Sequence, residues 1–105
     1  MAMTREEILA AIKERVLSVI PDARVMLFGS RARGDWHEES DWDILVLTQQ
    51  EVTDELSDKV HRIVCSFGLD NFFWIDTIVV NTNDWEQHPG WYSLWLSTKN
   101  DLVAI

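Results

Sequence analysis

The sequence predicts an α+β domain of two layers, a sheet with helices packed against it. Three observations carry that reading. Amphipathic helical patterns alternate with short apolar runs, each bounded by turn residues. At 105 residues the chain is long enough for one domain with a single modest core, so residues 1–105 are read as one unit. Its composition, 47% hydrophobic and 26% charged, is the ordinary balance of a globular chain.

The elements follow in order. Thr4-Arg5-Glu6-Glu7 is a capping box, in which Thr4 accepts from the Glu7 N–H and Glu7 reaches back. Ile8, Ile12, Val16 and Ile20 recur at four-residue steps, Leu9 and Val19 widen the stripe, and Pro21 ends this helix. Arg24 to Phe28 is a short apolar run between Pro21-Asp22 and Gly29, and reads as a buried strand. Ser30 to Arg33 makes a short helical turn, and Gly34 to Ser40 a polar loop. Asp43 to Thr48 is a second strand, apolar at odd and even positions as when both faces are covered. Thr53 to Phe67 carries Leu56, Val60, Ile63, Val64 and Phe67 at helical spacing, with Thr53 or Asp54 as cap and Gly68 as a C′ glycine. Phe72 to Asn81 is a third strand, interrupted by Asp76. A short turn starts at Thr82 or Asn83, and Pro89 to Lys99 forms a last helix. Asn100 stops it in a left-handed cap, leaving Asp101 to Ile105 as a small terminal strand.

Charge excludes some partners. The formal net charge is −9, the wrong sign for a chain that must replace the counterions of long DNA or RNA. A small nucleotide escorted by Mg²⁺ stays open, and basic protein partners are favoured through steering. No apolar run approaches the ~20 residues that span a bilayer. The N-terminus is charged too early and too regularly for a secretory signal. One cysteine, Cys65, cannot form an internal disulfide, so a cytoplasmic setting is expected.

The chemistry concentrates between Gly29 and Thr48. Asp41 and Asp43 are two residues apart, so their side chains leave the same face of an extended chain, while Trp42 points the other way into the core. Asp76 joins them if the third strand lies beside the second. Two carboxylates ~4 Å apart repel by about 4 kcal/mol at an effective dielectric near 20. Stability gives no reason to collect three, whereas a hard cation such as Mg²⁺ prefers oxygen ligands. Three carboxylates at a sheet edge suit two-metal phosphoryl or nucleotidyl transfer. Read alone, Asp-x-Asp also describes a strand-start turn or a solvated loop. At the other end of the stretch, Gly29 lets a backbone approach closely and Ser30 adds a hydroxyl at a helix start. Arg31 and Arg33 add two cations, which as an alternative form a solvated face. The text matches neither the Rossmann nor the P-loop pattern.

Taken together, the run LFGSRARGDWHEESDWDILVL resembles the signature of the polymerase-β-like nucleotidyltransferase superfamily: Gly-Ser, about ten residues, then Asp-x-Asp. It is most similar to the small, stand-alone minimal nucleotidyltransferase group, where the GSRARG form is common. The resemblance covers essentially the whole chain and implies a mixed sheet in the polymerase-β-like fold. It also implies that Gly29 and Ser30, with Arg31 and Arg33 beside them, bind the nucleotide phosphates. Asp41, Asp43 and Asp76 would ligate Mg²⁺, two ions being expected, and Asp76 would activate the attacking hydroxyl. The implied reaction moves a nucleotide, AMP from ATP, onto an acceptor hydroxyl. With no room for an acceptor domain, the acceptor is expected on a partner protein. Members of the group are often antitoxins paired with a HEPN-domain toxin, which they modify with AMP.

The remaining residues admit more than one reading. Six tryptophans are many for this length. Trp91, Leu94 and Trp95, widened by Tyr92 and Leu96, make the last helix apolar nearly all round, so it is either core or a partner or homo-oligomer interface. Trp36 is a lid or packing residue, or stacks on a base. His37, His61 and His88 lack metal spacing and read as surface. Cys65 reads as a small core filler, and Ser40 ties down the turn before Asp41. Two rivals to the protein-modifying enzyme stay open. One is a nucleotide-binding or antitoxin module acting by protein binding alone. The other is a small-molecule nucleotidyltransferase whose second site forms in a dimer.

Overall fold

The computed structural model describes residues 3–87 and 89–105, so the reading of His88 as a surface residue lies outside the described residues. The capping box forms as its sequence dictates. Thr4 Oγ1 accepts from the Glu7 N–H at 3.1 Å, and the Thr4 N–H donates to the Glu7 carboxylate at 3.0 Å. They open helix α1 (Arg5–Val19), which buries Ile8, Ile12 and Val16.

Strand β1 (Arg24–Phe28) leads through the single turn α2 (Ser30–Arg33) to β2 (Trp42–Thr48). Helix α3 (Asp54–Asp70) carries the chain over to β3 (Ile75–Asn81). Then come α4 (Thr82–Gln87), a 3₁₀ turn at Pro89–Trp91, α5 (Tyr92–Thr98) and β4 (Val103–Ala104). The sheet order is β3-β2-β1-β4: β1 pairs antiparallel with β2 and β4, and β2 pairs parallel with β3. The parallel β2–β3 pair needs a crossover, which α3 supplies, and the chain crosses the sheet again from β3 to β4 by way of α4 and α5. The sheet is therefore mixed, with α1 and α3 as the second layer. Ile12, Val16, Val60 and Val64 pack there against Leu27, Ile44 and Val46. On the opposite face, Leu45, Leu47 and Val80 are covered by Trp85 and by Trp91, Leu94 and Trp95. That double cover explains why β2 is apolar at every position from Ile44 to Leu47.

Several boundaries move. Helix α3 runs three residues past Phe67, with Gly68 inside it and Asn71 as its C-cap. Gly68 serves close packing: a Cβ there would lie 2.8 Å from the Phe73 carbonyl oxygen. Strand β3 starts at Ile75, because Phe72 takes φ 63° and turns out to solvent, 94% exposed. Phe73 instead packs against Trp42 and Phe67. Trp74, inside the span read as the third strand, precedes it and is exposed. The last helix splits into the 3₁₀ turn and α5, whose Tyr92 and Leu96 are exposed while Trp91 and Trp95 are partly buried. Among the described non-glycine residues only Phe72 has positive φ, so Asn100 forms no left-handed cap; Lys99 caps α5 in right-handed geometry.

Asp22, which the sequence marks only as a turn residue, ties the α1–β1 turn to the far end of β2. It accepts from the Gln49 N–H at 2.8 Å, from Thr48 Oγ1 at 3.0 and 3.1 Å, and from Gln50 Nε2 at 3.1 Å. These bonds, the Gln49 N–H foremost, hold its carboxyl below the ordinary value. A lowered folded-state pKa stabilises above the unfolded value and is lost as pH falls through the folded one. Asp22→Ala therefore lowers the melting temperature at pH 7, and the gap to wild type closes below about pH 4. Thermal unfolding at both pH values checks it.

Candidate active site

The site is built where three chain segments meet at one end of the sheet. The ladder puts Phe28 opposite Asp43 and Asp43 opposite Asp76, so the two aspartates leave the same face of neighbouring strands. Asp41 lies two residues before Asp43, just ahead of β2. Asp41, Asp43 and Asp76 each offer a carboxylate oxygen, and these oxygens all lie within 4.8 Å of one another. Asp41 and Asp76 are exposed and Asp43 is half-buried.

Electrostatics set Asp43 apart. Burial raises its pKa, Asp76 and then Asp41 raise it further, and Arg33 alone works in the other direction. The cluster is therefore short of positive charge. Its donors are all oxygens in close array, the set that suits a hard divalent cation. Such an ion would fit here with Asp41, Asp43 and Asp76 as its ligands.

Gly29 brings main chain against that cluster. Its φ of 75° lies where side chains are disfavoured, and a Cβ would overlap the Asp43 carboxylate. Gly29 is also the N-cap of α2, so Ser30 stands at the first helical position next to the acids. Arg33, at the end of α2, is partly exposed, 3.4 Å from Asp35 and 3.9 Å from Asp101.

Arg31 goes elsewhere. Its guanidinium is buried and donates to the carbonyls of Ser40 (3.1 and 3.3 Å) and Glu38 (3.3 Å). It is sandwiched between the Trp36 and Trp42 rings, at 4.5 and 4.4 Å. Trp42 leaves β2 on the face opposite Asp41 and Asp43, so Arg31 clamps the 35–41 loop from behind the acids. Arg5 supports it, donating to the Arg31 carbonyl at 2.8 Å. Sequence reasoning missed Arg5, since nothing local marks a contact spanning 26 residues. Trp36 belongs to this clamp, although it remains half-exposed. Ser40 closes the loop: its Oγ accepts from the His37 N–H at 2.9 Å and its N–H donates to the His37 carbonyl at 2.9 Å. His61 is exposed, with Nδ1 3.1 Å from Thr77 Oγ1, and the Cys65 thiol donates to the Ile75 carbonyl at 3.1 Å.

A family model described as "Nucleotidyltransferase domain" matches residues 5–86, spanning α1 through α4. The chain belongs to that nucleotidyltransferase family. Among its relatives is a Methanocaldococcus jannaschii protein provisionally named protein adenylyltransferase MJ0141. The two are 36% identical over 75 residues, 70% of this chain and 76% of the other. Two solved structures share the nucleotidyltransferase fold. One, a provisionally assigned nucleotidyltransferase from Sulfolobus solfataricus, is 29% identical with a TM-score of 0.58, over 92% of this chain and 75% of that one. The other comes from a toxin–antitoxin complex with AMP-PNP, is 22% identical with a TM-score of 0.54, and aligns over 67% of this chain. This nucleotidyltransferase spans only 55% of that chain, and the likeness is one of fold. No described helix is long and apolar enough to cross a membrane.

Proposed function

We propose that the domain transfers AMP from ATP to a hydroxyl on a partner protein, with Asp41, Asp43 and Asp76 as the catalytic carboxylates. The observation that carries this reading is the convergence of three acids beside Gly29, in a chain of the nucleotidyltransferase family. The provisional name of the Methanocaldococcus relative supports AMP and a protein acceptor. A HEPN-class toxin as that partner rests on the family resemblance and is in keeping with the toxin–antitoxin structure of the same fold.

Each group has a task. Gly29 and Ser30 lie against the triphosphate, where the missing side chain of Gly29 leaves room and the Ser30 hydroxyl and nearby N–H groups donate. Arg33, whose charge acts on Asp43, adds positive charge toward the phosphates. Arg31 acts from behind, holding the loop that carries Asp41. Asp41, Asp43 and Asp76 would hold magnesium, two ions by the family resemblance, which when bound supply charge neutralisation and polarisation of the α-phosphate. Asp76, the most open of the strand acids, accepts the proton of the attacking hydroxyl. The acceptor oxygen bonds to the α-phosphorus as the bond from that phosphorus to the bridging oxygen breaks. Pyrophosphate leaves with the electron pair.

The rival is inhibition by binding alone. Label transfer from α-labelled ATP with Mg²⁺ into a lysate of the source cell separates them, run beside Asp41→Ala and Asp43→Ala. A labelled protein that disappears with both variants supports transfer. No label, with partner binding that both variants retain, supports occlusion.

A further inference from the structure

We infer that the acceptor reaches the carboxylates as an extended segment of a basic partner protein, added as a fifth strand along the open edge of β3. The inference rests on the protein-acceptor reading above and gives that acceptor a conformation and a charge.

β3 ends the sheet order, so among the described residues one side of it has no strand neighbour. The Trp42 N–H donates to the Trp74 carbonyl at 2.8 Å, which fixes the ladder's phase. By the alternation of a parallel pair, Asp76 and Ile78 turn their main-chain groups to β2, and Ile75, Thr77 and Val79 turn theirs outward. The Cys65 thiol reaches the Ile75 carbonyl from α3, outside the ladder, in agreement with that phase. Edge strands are ordinarily guarded by lysine, proline, a bulge or shortness. β3 is seven residues long, pairs with β2 without a bulge, and reads IDTIVVN, with neither lysine nor proline. Its only charge is Asp76, which belongs to the acid cluster. The other edge, β4, is two residues long.

Two clefts lie end to end along this edge. One, of about 520 Å³, is lined by Thr77, Ile78 and Val79 together with Asp54, Asp58 and His61. The other, of about 230 Å³, is lined by Trp74, Ile75 and Asp76 together with His61 and Cys65. Each contains residues from both faces of β3, so each opens at the edge itself. Strand addition uses such an arrangement: main-chain bonds give affinity and pockets for alternate side chains give specificity. A residue of the added strand level with Asp76 delivers its hydroxyl to the catalytic acids. Charge selects the occupant. Asp54, Asp58 and Asp76 are exposed along the groove and the chain carries a net charge of −9, so lysine or arginine beside the hydroxyl residue is attracted. A second copy of this chain, equally acidic, is repelled.

The test uses α-labelled ATP, Mg²⁺ and three synthetic ten-residue peptides of alternating lysine and valine around one tyrosine. The first is unmodified, and the other two are N-methylated at every second residue, in opposite frames. Strand addition predicts label on the unmodified peptide and one methylated frame, with at least tenfold less on the other. Thr77→Pro removes an outward N–H and no ladder bond, a change that edge strands tolerate. Asp58→Lys changes an exposed helical position and folds even if the proline variant does not. Both raise the KM for peptide, or for the protein labelled in a lysate, at least tenfold, while Mg-ATP affinity by calorimetry stays within twofold. Equal labelling of both methylated frames, or lysate labelling that both variants leave undiminished, overturns the inference and leaves the protein-acceptor reading standing. A dimer in solution that Thr77→Pro dissolves, with no discrimination between frames, assigns the edge to a second copy and overturns it as well. Wild-type protein that binds Mg-ATP yet labels neither peptide nor lysate protein overturns both readings.

Discussion

Asp43→Asn abolishes nucleotide transfer, by at least about a thousandfold or roughly 4 kcal/mol of activation energy, and leaves the metal-free protein more stable than wild type. The two halves of that result share one cause. Asp43 is half-buried, and burial, then Asp76, then Asp41, raise its carboxyl above the ordinary value. A raised pKa means that folding disfavours the ionised form. The penalty is absent below the unfolded pKa, grows as pH rises above about 4, and is complete above the folded value. At pH 7 asparagine, of the same shape and without charge, removes it. Partial exposure and screening keep that gain small, so the rise in melting temperature is modest. In chelator at pH 7 the variant melts higher, and near pH 4 the two coincide. Mg²⁺ reverses the order: at a hundred times its Kd it adds about 2.7 kcal/mol to wild type alone. A variant that melts lower than wild type in chelator at pH 7 contradicts the reading of Asp43 as a strained ligand.

The second large effect belongs to Gly29→Ala. Its φ of 75° and ψ of −160° fall in a region that is essentially glycine's own, at a cost of about 1–3 kcal/mol for any other residue. The new Cβ also overlaps the Asp43 carboxylate, so β1 and β2 must separate or the acid must move. We expect a loss of about 2–4 kcal/mol in stability and, in the molecules still folded, about a hundredfold loss of transfer. The steric part is separable. In an Asp43→Ala background the carboxylate is gone, and Gly29→Ala then costs only the backbone strain. Denaturant unfolding of the four proteins gives that coupling as at least about 1 kcal/mol. Additivity of the two substitutions would show that the close approach has no energetic weight.

The sequence carried the site better than it carried the scaffold behind it. Asp41, Asp43 and Asp76 were legible because strand alternation and parallel neighbours are rules of local period, and the observed register pairs Asp43 with Asp76. Gly29 was legible as a point of close approach, although not which atom it makes room for. Arg31 was not legible: its partners are main-chain carbonyls of a loop and two indole rings, and no residue pattern announces either. The Phe72 to Trp74 stretch was misplaced in the third strand because an apolar run cannot distinguish a strand from a turn that buries one ring. What decides there is the positive φ of Phe72 and the approach of the Phe73 carbonyl to Gly68. The same approach holds Gly68 inside α3, where a glycine after an apolar helix ordinarily ends it. The α+β architecture itself, a mixed sheet with helices packed against it, followed from the alternation of helical and strand periods, which boundary shifts of a few residues do not disturb.

We propose that three carboxylates at the β2–β3 end drive transfer of a nucleotide rather than a phosphoryl group. This is tested most directly by running the lysate reaction twice, with ATP labelled at the α-phosphate and at the γ-phosphate, using wild type and Asp43→Asn. The expected result is a labelled protein with the α-label only, dependent on Mg²⁺ and absent from the variant. A band that carries the γ-label, or an α-labelled band of undiminished strength from Asp43→Asn, would contradict it.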